Sequence, residues 1–114
     1  MHEHETDDEG RQICTTSGEA LSSVRAAQRA EGNAGQHGSY IVLCEEERKK
    51  GFVRPYRDAY KHLMCGSVTT MGRALSETYA RDPFFYNATF CCTCNKHFPV
   101  EEFTWLKDGE AVGS

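Results

Sequence analysis

The chain has 114 residues, 39% hydrophobic and 26% charged, with a net charge of −4. That is the length of one small domain, and the balance excludes both a basic nucleic-acid-coating protein and a wholly disordered acidic chain. No apolar run approaches the roughly 18 residues of a bilayer span, and the opening Met1-His2-Glu3-His4-Glu5 lacks the basic and apolar regions of a signal peptide, so the expected address is cytoplasmic, with no membrane partner.

All twelve aromatic residues lie in residues 40–114. Residues 1–39 carry the entire net charge, with seven acids against three bases, whereas 40–114 hold ten of each. A segment without aromatics has little to bury, so 1–39 reads as a disordered acidic arm ending in the linker Gly32-Asn33-Ala34-Gly35-Gln36-His37-Gly38. Residues 20–31 have helix-forming composition, with Thr16 and Glu19 at capping-box spacing ahead of them, but an isolated helix of that length is marginal in water.

The folded unit is expected over residues 40–114. Residues 40–43 are a short β-prone run. Cys44 then occupies an N-cap position, with Glu45, Glu46 and Glu47 in a first turn and Arg48, Lys49 and Lys50 before Gly51, a charge order that complements the dipole of a helix of one to two turns. Residues 52–62 alternate as a strand would, placing Arg54, Tyr56, Asp58, Tyr60 and His62 on one side, with Pro55 marking it as an edge or irregular strand. The main helix follows, capped by Thr69 or Thr70, with Met71, Leu75 and Tyr79 on one face and Asp82-Pro83 at its end. Phe84-Phe85-Tyr86 must be buried or form a surface patch. Asn87-Ala88-Thr89 matches a glycosylation acceptor that a cytoplasmic chain leaves unmodified. Strands through 89–91 and 100–106 flank a second turn, 107–110 forms a further turn, and the last four residues are expected to fray.

A core this small often needs a staple, and the six cysteines suggest its kind. Disulfides require an oxidising compartment that nothing at the N-terminus indicates. Metal is the better hypothesis, because His62-Leu63-Met64-Cys65 and Cys91-Cys92-Thr93-Cys94 are two x2-spaced pairs separated by 25 residues. Two intervening residues let a tight turn aim both ligands at one ion. Each pair is followed by a residue that tolerates the left-handed conformation such a knuckle requires, Gly66 and Asn95. Cys94-Asn95-Lys96-His97-Phe98 is similar to the knuckle of zinc ribbons. One structural Zn2+ held by His62, Cys65, Cys91 and Cys94 is therefore expected. His97 is the competing fourth ligand, but it would crowd three donors onto one short turn. Cys92 should point away from the metal, and Cys14 and Cys44 read as spectators. A redox pair at Cys91 and Cys94 should open a helix in a larger α/β pattern, which Pro99 forbids.

Residues 40–114 resemble a group of small, uncharacterised zinc-knuckle proteins encoded by phages and prophages. The likeness lies in Glu45-Glu46-Glu47-Arg48 through Gly51-Phe52-Val53-Arg54-Pro55, in Met71-Gly72-Arg73-Ala74-Leu75 through Thr78-Tyr79-Ala80-Arg81-Asp82-Pro83, and in the second knuckle through Trp105. It implies a host-cytoplasm setting rather than a reaction, and it adds support to the four ligands.

The expected fold is small α+β: a zinc-stapled, zinc-ribbon-like set of short strands with one main helix, plus the disordered arm. Four protein ligands close the metal shell, and neither a deaminase signature, a nucleophile elbow nor a phosphate-binding glycine loop is present, so no catalytic residue, enzyme activity or small-molecule substrate is expected. Two functions remain. A protein-interaction module docking on a host or phage protein is favoured by the charge balance. A zinc-ribbon-like nucleic-acid-binding regulator is the alternative, drawn from the interleaved Arg54, Tyr56, Arg57, Tyr60 and Lys61.

Overall fold

The computed structural model describes residues 5–7, 10–32 and 38–113. They form a small α+β arrangement of three antiparallel sheets with short helices between them. The first sheet orders β1 (Glu5–Thr6), β2 (Gln12–Thr15) and β3 (Ile41–Leu43) side by side, with α1 (Leu21–Glu31) in the crossing between the last two. Next come α2 (Glu45–Arg48), β4 (Ala59–His62), β5 (Val68–Thr70) and α3 (Arg73–Arg81). The chain continues through β6 (Ala88–Cys91), β7 (Lys96–Pro99), a 3-10 turn at Val100–Glu102 and β8 (Phe103–Trp105). β4 is the centre of the sheet β5-β4-β8, and β6 pairs with β7 alone.

The main core gathers where these elements meet, around Tyr60, Tyr79, Phe103, Trp105 and Val112, with Cys91 at its edge. Register explains its composition: Tyr60 lies opposite Trp105 and His62 opposite Phe103, so one face of β4 and β8 supplies large side chains at period two. Arg57 is buried beside this core with its guanidinium over the Trp105 ring, 4.8 Å from the centroid, and donates to Asp108 at 3.1 Å. A smaller cluster of Ile13, Leu21 and Leu43 sits under the first sheet.

Within the segment 1–39 expected to be a disordered arm, the described residues 12–15 and 21–31 form a strand and a helix. Residues 13–15 pair with 41–43, setting Ile13 opposite Leu43, and α1 buries Leu21 and Val24 one turn apart. Three aliphatic side chains on a strand and a helix suffice to dock a segment that contains no aromatic residue. Cys14 and Cys44, expected to be spectators, form a disulfide whose Cα atoms lie 5.1 Å apart, because the β2–β3 register brings Cys14 beside the residue that caps α2. The Thr16–Glu19 capping box does not form. Thr15 donates its hydroxyl to the Glu19 carbonyl instead, and the Thr16 hydroxyl meets Ser39. Most of the expected linker, residues 33–37, lies outside the described residues.

Other expectations shift by a few residues. Only Ala59–His62 of the anticipated strand is extended, and Phe52, Val53, Arg54, Pro55 and Tyr56 form an exposed loop ahead of it. α3 begins after Gly72, since Val68–Thr70 is drawn into pairing with β4. Of the aromatic triplet, Phe84 is exposed, Phe85 packs on the Ile13 cluster, and Tyr86 packs on the main core and donates its hydroxyl to the Ile41 carbonyl at 2.5 Å. The C-terminal stretch is tied down rather than frayed, with Val112 buried and its N–H bonded to the Phe103 carbonyl at 3.0 Å.

Candidate metal centre

Two hairpins build the site. β4 and β5 enclose the loop containing Cys65, while β6 and β7 enclose the loop containing Cys92, Thr93 and Cys94. The loops share one construction. In the first, Gly66 has φ +75° and its N–H reaches back to the His62 carbonyl at 2.7 Å; in the second, Asn95 has φ +55° and its N–H reaches the Cys91 carbonyl at 2.8 Å. Each loop thus turns on the left-handed residue after its second candidate ligand, so both members of each pair face inward.

His62, Cys65, Cys91 and Cys94 are brought together with their ligand atoms all within 4.8 Å of one another, close enough to hold a metal ion. Cys65 Sγ is 3.5 Å from Cys91 Sγ, and Cys94 Sγ is 3.7 Å from His62 Nδ1. A tetrahedral ion with bonds of about 2.3 Å to sulfur and about 2.05 Å to nitrogen separates its donors by roughly 3.6–3.8 Å, so these spacings fit one central ion. The donor set, three thiols and an imidazole, is chemically coherent for a soft or borderline metal.

Burial is graded across the site. His62 is 1% exposed and Cys91 is fully buried, whereas Cys94 is half-buried and Cys65 exposed. The His62 ring lies between Phe98 and Phe103, with centroids at 4.5 and 4.6 Å, and its Nε2 is 3.0 Å from Glu102 Oε1. Burial disfavours the imidazolium, but hydrogen bonds with Glu102 and Cys65 outweigh it and hold His62 above its ordinary value. Cys65 is lowered to about 6, foremost by a hydrogen bond from the Ser67 backbone. Burial, followed by hydrogen bonds with Cys91 and Cys65, pushes Cys94 up to about 11. The two shifts run in opposite directions, with the exposed Cys65 favouring the thiolate and Cys94 the thiol.

The alternatives separate cleanly in space. His97 is turned to the other side of its hairpin, where Nε2 pairs with the Tyr40 hydroxyl at 2.9 Å and the ring packs on Phe90. Cys92 is exposed outside the four-residue group, its Sγ 3.5 Å from the Val68 carbonyl and its N–H donated to Thr69 Oγ1. Phe98, at the end of the knuckle run Cys94-Asn95-Lys96-His97-Phe98, packs on the His62 ring, whereas Phe103 and Glu102 carried no signal in the sequence. Those two come from β8 and the turn before it, and only the strand register places them there.

No family model matches the chain, and comparisons with curated proteins and with solved structures gave no match. Among the described residues, no helix is long and apolar enough to cross a membrane.

Proposed function

We propose that the protein is a small structural-zinc module, of the zinc-ribbon-like kind encoded by phages, that acts by docking on a host or phage protein. The observation carrying this reading is the first metal loop. Leu63, 58% exposed, and Met64, 79% exposed, stand between two of the four candidate ligands, so an ion fixed below them would hold an apolar tip rigid in water. Three sulfurs and one nitrogen favour zinc, and four protein donors leave no open position for chemistry, so the reading assigns no enzyme activity. Thiolate ligation suits the cytoplasm, and that address belongs to the proposal. A reducing cytoplasm would keep Cys14 and Cys44 as an adjacent dithiol rather than a bridge.

Nucleic-acid binding is the second reading, and the geometry weakens the stripe that suggested it. Of Arg54, Tyr56, Arg57, Tyr60 and Lys61, Arg57 is buried against Trp105 and Tyr60 lies in the core, which leaves three exposed. The experiment compares wild type with Leu63→Glu/Met64→Glu, both zinc-loaded, in capture from host lysate and in a salt titration against short DNA and RNA. The docking reading expects a partner that wild type retains and the double variant loses. Micromolar nucleic-acid binding that weakens steeply with salt and survives the double substitution would replace it with the second reading.

A further inference from the structure

We infer that the metal centre extends to a fifth residue, Glu102, a positioning residue whose carboxylate accepts the Nε2–H of His62 and thereby commits the ring to bind metal through Nδ1. The inference rests on the metal reading above and concerns how the one nitrogen ligand is selected and held.

A neutral imidazole has one N–H donor and one lone-pair nitrogen, and only the lone pair can ligate. Which nitrogen is which follows from what faces the ring's two edges. Nε2 lies 3.0 Å from Glu102 Oε1, and an ionised carboxylate only accepts, so Nε2 carries the proton. Nδ1 is then the lone-pair nitrogen, and it is this atom that stands 3.7 Å from Cys94 Sγ, at the spacing of two ligands on one ion. Phe98 and Phe103 hold the ring plane from both sides, with interplanar angles of 31° and 27°. Stacking alone does not distinguish the ring from its flipped form, because both present the same faces to the two phenyl groups. The hydrogen bond to Glu102 does distinguish them.

Glu102 is itself fixed by its backbone. It ends the 3-10 turn Val100–Glu102, and its carbonyl accepts the Leu63 N–H at 2.9 Å, which ties it to the first metal loop. Substituting its side chain therefore removes the carboxylate without removing that tie. A carboxylate on the far nitrogen also raises the basicity of the ligating one, and loss of such a partner typically weakens metal binding by about 10- to 100-fold.

The test uses the full chain loaded with zinc. Long-range 1H–15N correlation spectra identify the His62 tautomer, and competition with a chromophoric chelator gives the zinc Kd for wild type, Glu102→Gln, Glu102→Ala and the neighbouring Glu101→Ala. Expected are an Nε2–H tautomer in wild type, a Kd raised about 10- to 100-fold in Glu102→Ala, a smaller rise in Glu102→Gln, which keeps an acceptor oxygen, and no change in Glu101→Ala. An Nδ1–H tautomer in zinc-loaded wild type overturns the inference even where a variant fails to fold, as does a Glu102→Ala affinity within twofold of wild type. In either case the metal reading stands. Wild-type chain that takes up no zinc overturns both.

Discussion

At the scale of single residues, the two histidines near the knuckles make opposite demands. His62 has both ring nitrogens engaged, one at Glu102 and one among the sulfurs, whereas His97 spends Nε2 on Tyr40 at the far side of its hairpin. His62→Ala is therefore expected to lose bound zinc and cooperative structure together, since zinc binding in small domains is largely folding free energy of about 10–16 kcal/mol. His97→Ala is expected to keep its zinc and lose about 1 kcal/mol from the Tyr40 hydrogen bond. Zinc content and circular dichroism on both variants, at neutral pH with reductant, check the pair; a folded, zinc-loaded His62→Ala chain would remove His62 from the site. Much of this was legible at residue level. The x2 spacing placed all four donors together, and Gly66 and Asn95 adopt the left-handed conformation that their residue types allowed one to expect. Glu102 was not legible, because its role depends on a partner 40 residues away in the chain, and nothing in the local run Pro99-Val100-Glu101-Glu102 marks it.

At the scale of elements, the β2–β3 pairing sets how the front of the chain is held. The Cys14–Cys44 bridge spans a sequence separation of 30, and closing a loop of that length removes about 3.5 kcal/mol of unfolded-state entropy in the chain-entropy treatment. Under oxidising conditions Cys14→Ser should lower stability by about 3 kcal/mol while leaving zinc content unchanged, as read by urea unfolding with metal analysis. Equal stability of the two proteins would mean that the bridge does not form. Residues 1–39 contain no aromatic residue and carry the whole net charge, a composition that points to a disordered arm. The segment buries Ile13, Leu21 and Val24, and the pairing of β2 with β3 that helps to hold it is a long-range register that no local pattern reports. α2 and α3 carry a second, pH-dependent tie. Arg48 and Arg73 both donate to Glu77. Burial raises the Glu77 pKa, but the hydrogen bonds from Arg73 and Arg48 outweigh it and leave the carboxyl below its ordinary value. A carboxylate lowered on folding contributes stability that is fully present above its unfolded pKa and is lost as the pH falls through the folded one. Glu77→Gln should thus be less stable than wild type by about 1 kcal/mol at pH 7 and converge on it below about pH 4. A difference that persists undiminished at pH 3 would show that packing, rather than charge, makes the contact.

At the scale of the whole molecule, the metal site lies where the two hairpins meet and touches the main core through Cys91 and Phe103. A metal ion bound at that position would staple a small fold. β4 carries Tyr60 into the core and His62 into the candidate site, two residues apart on one face, so site and core share one strand. The most direct measurement is zinc-edge X-ray absorption on the purified, zinc-loaded chain, which counts and identifies the atoms around the ion. The expected shell holds three sulfurs at about 2.3 Å and one nitrogen at about 2.05 Å, with no oxygen. A shell with two sulfurs, or with an oxygen in place of the imidazole nitrogen, would contradict it.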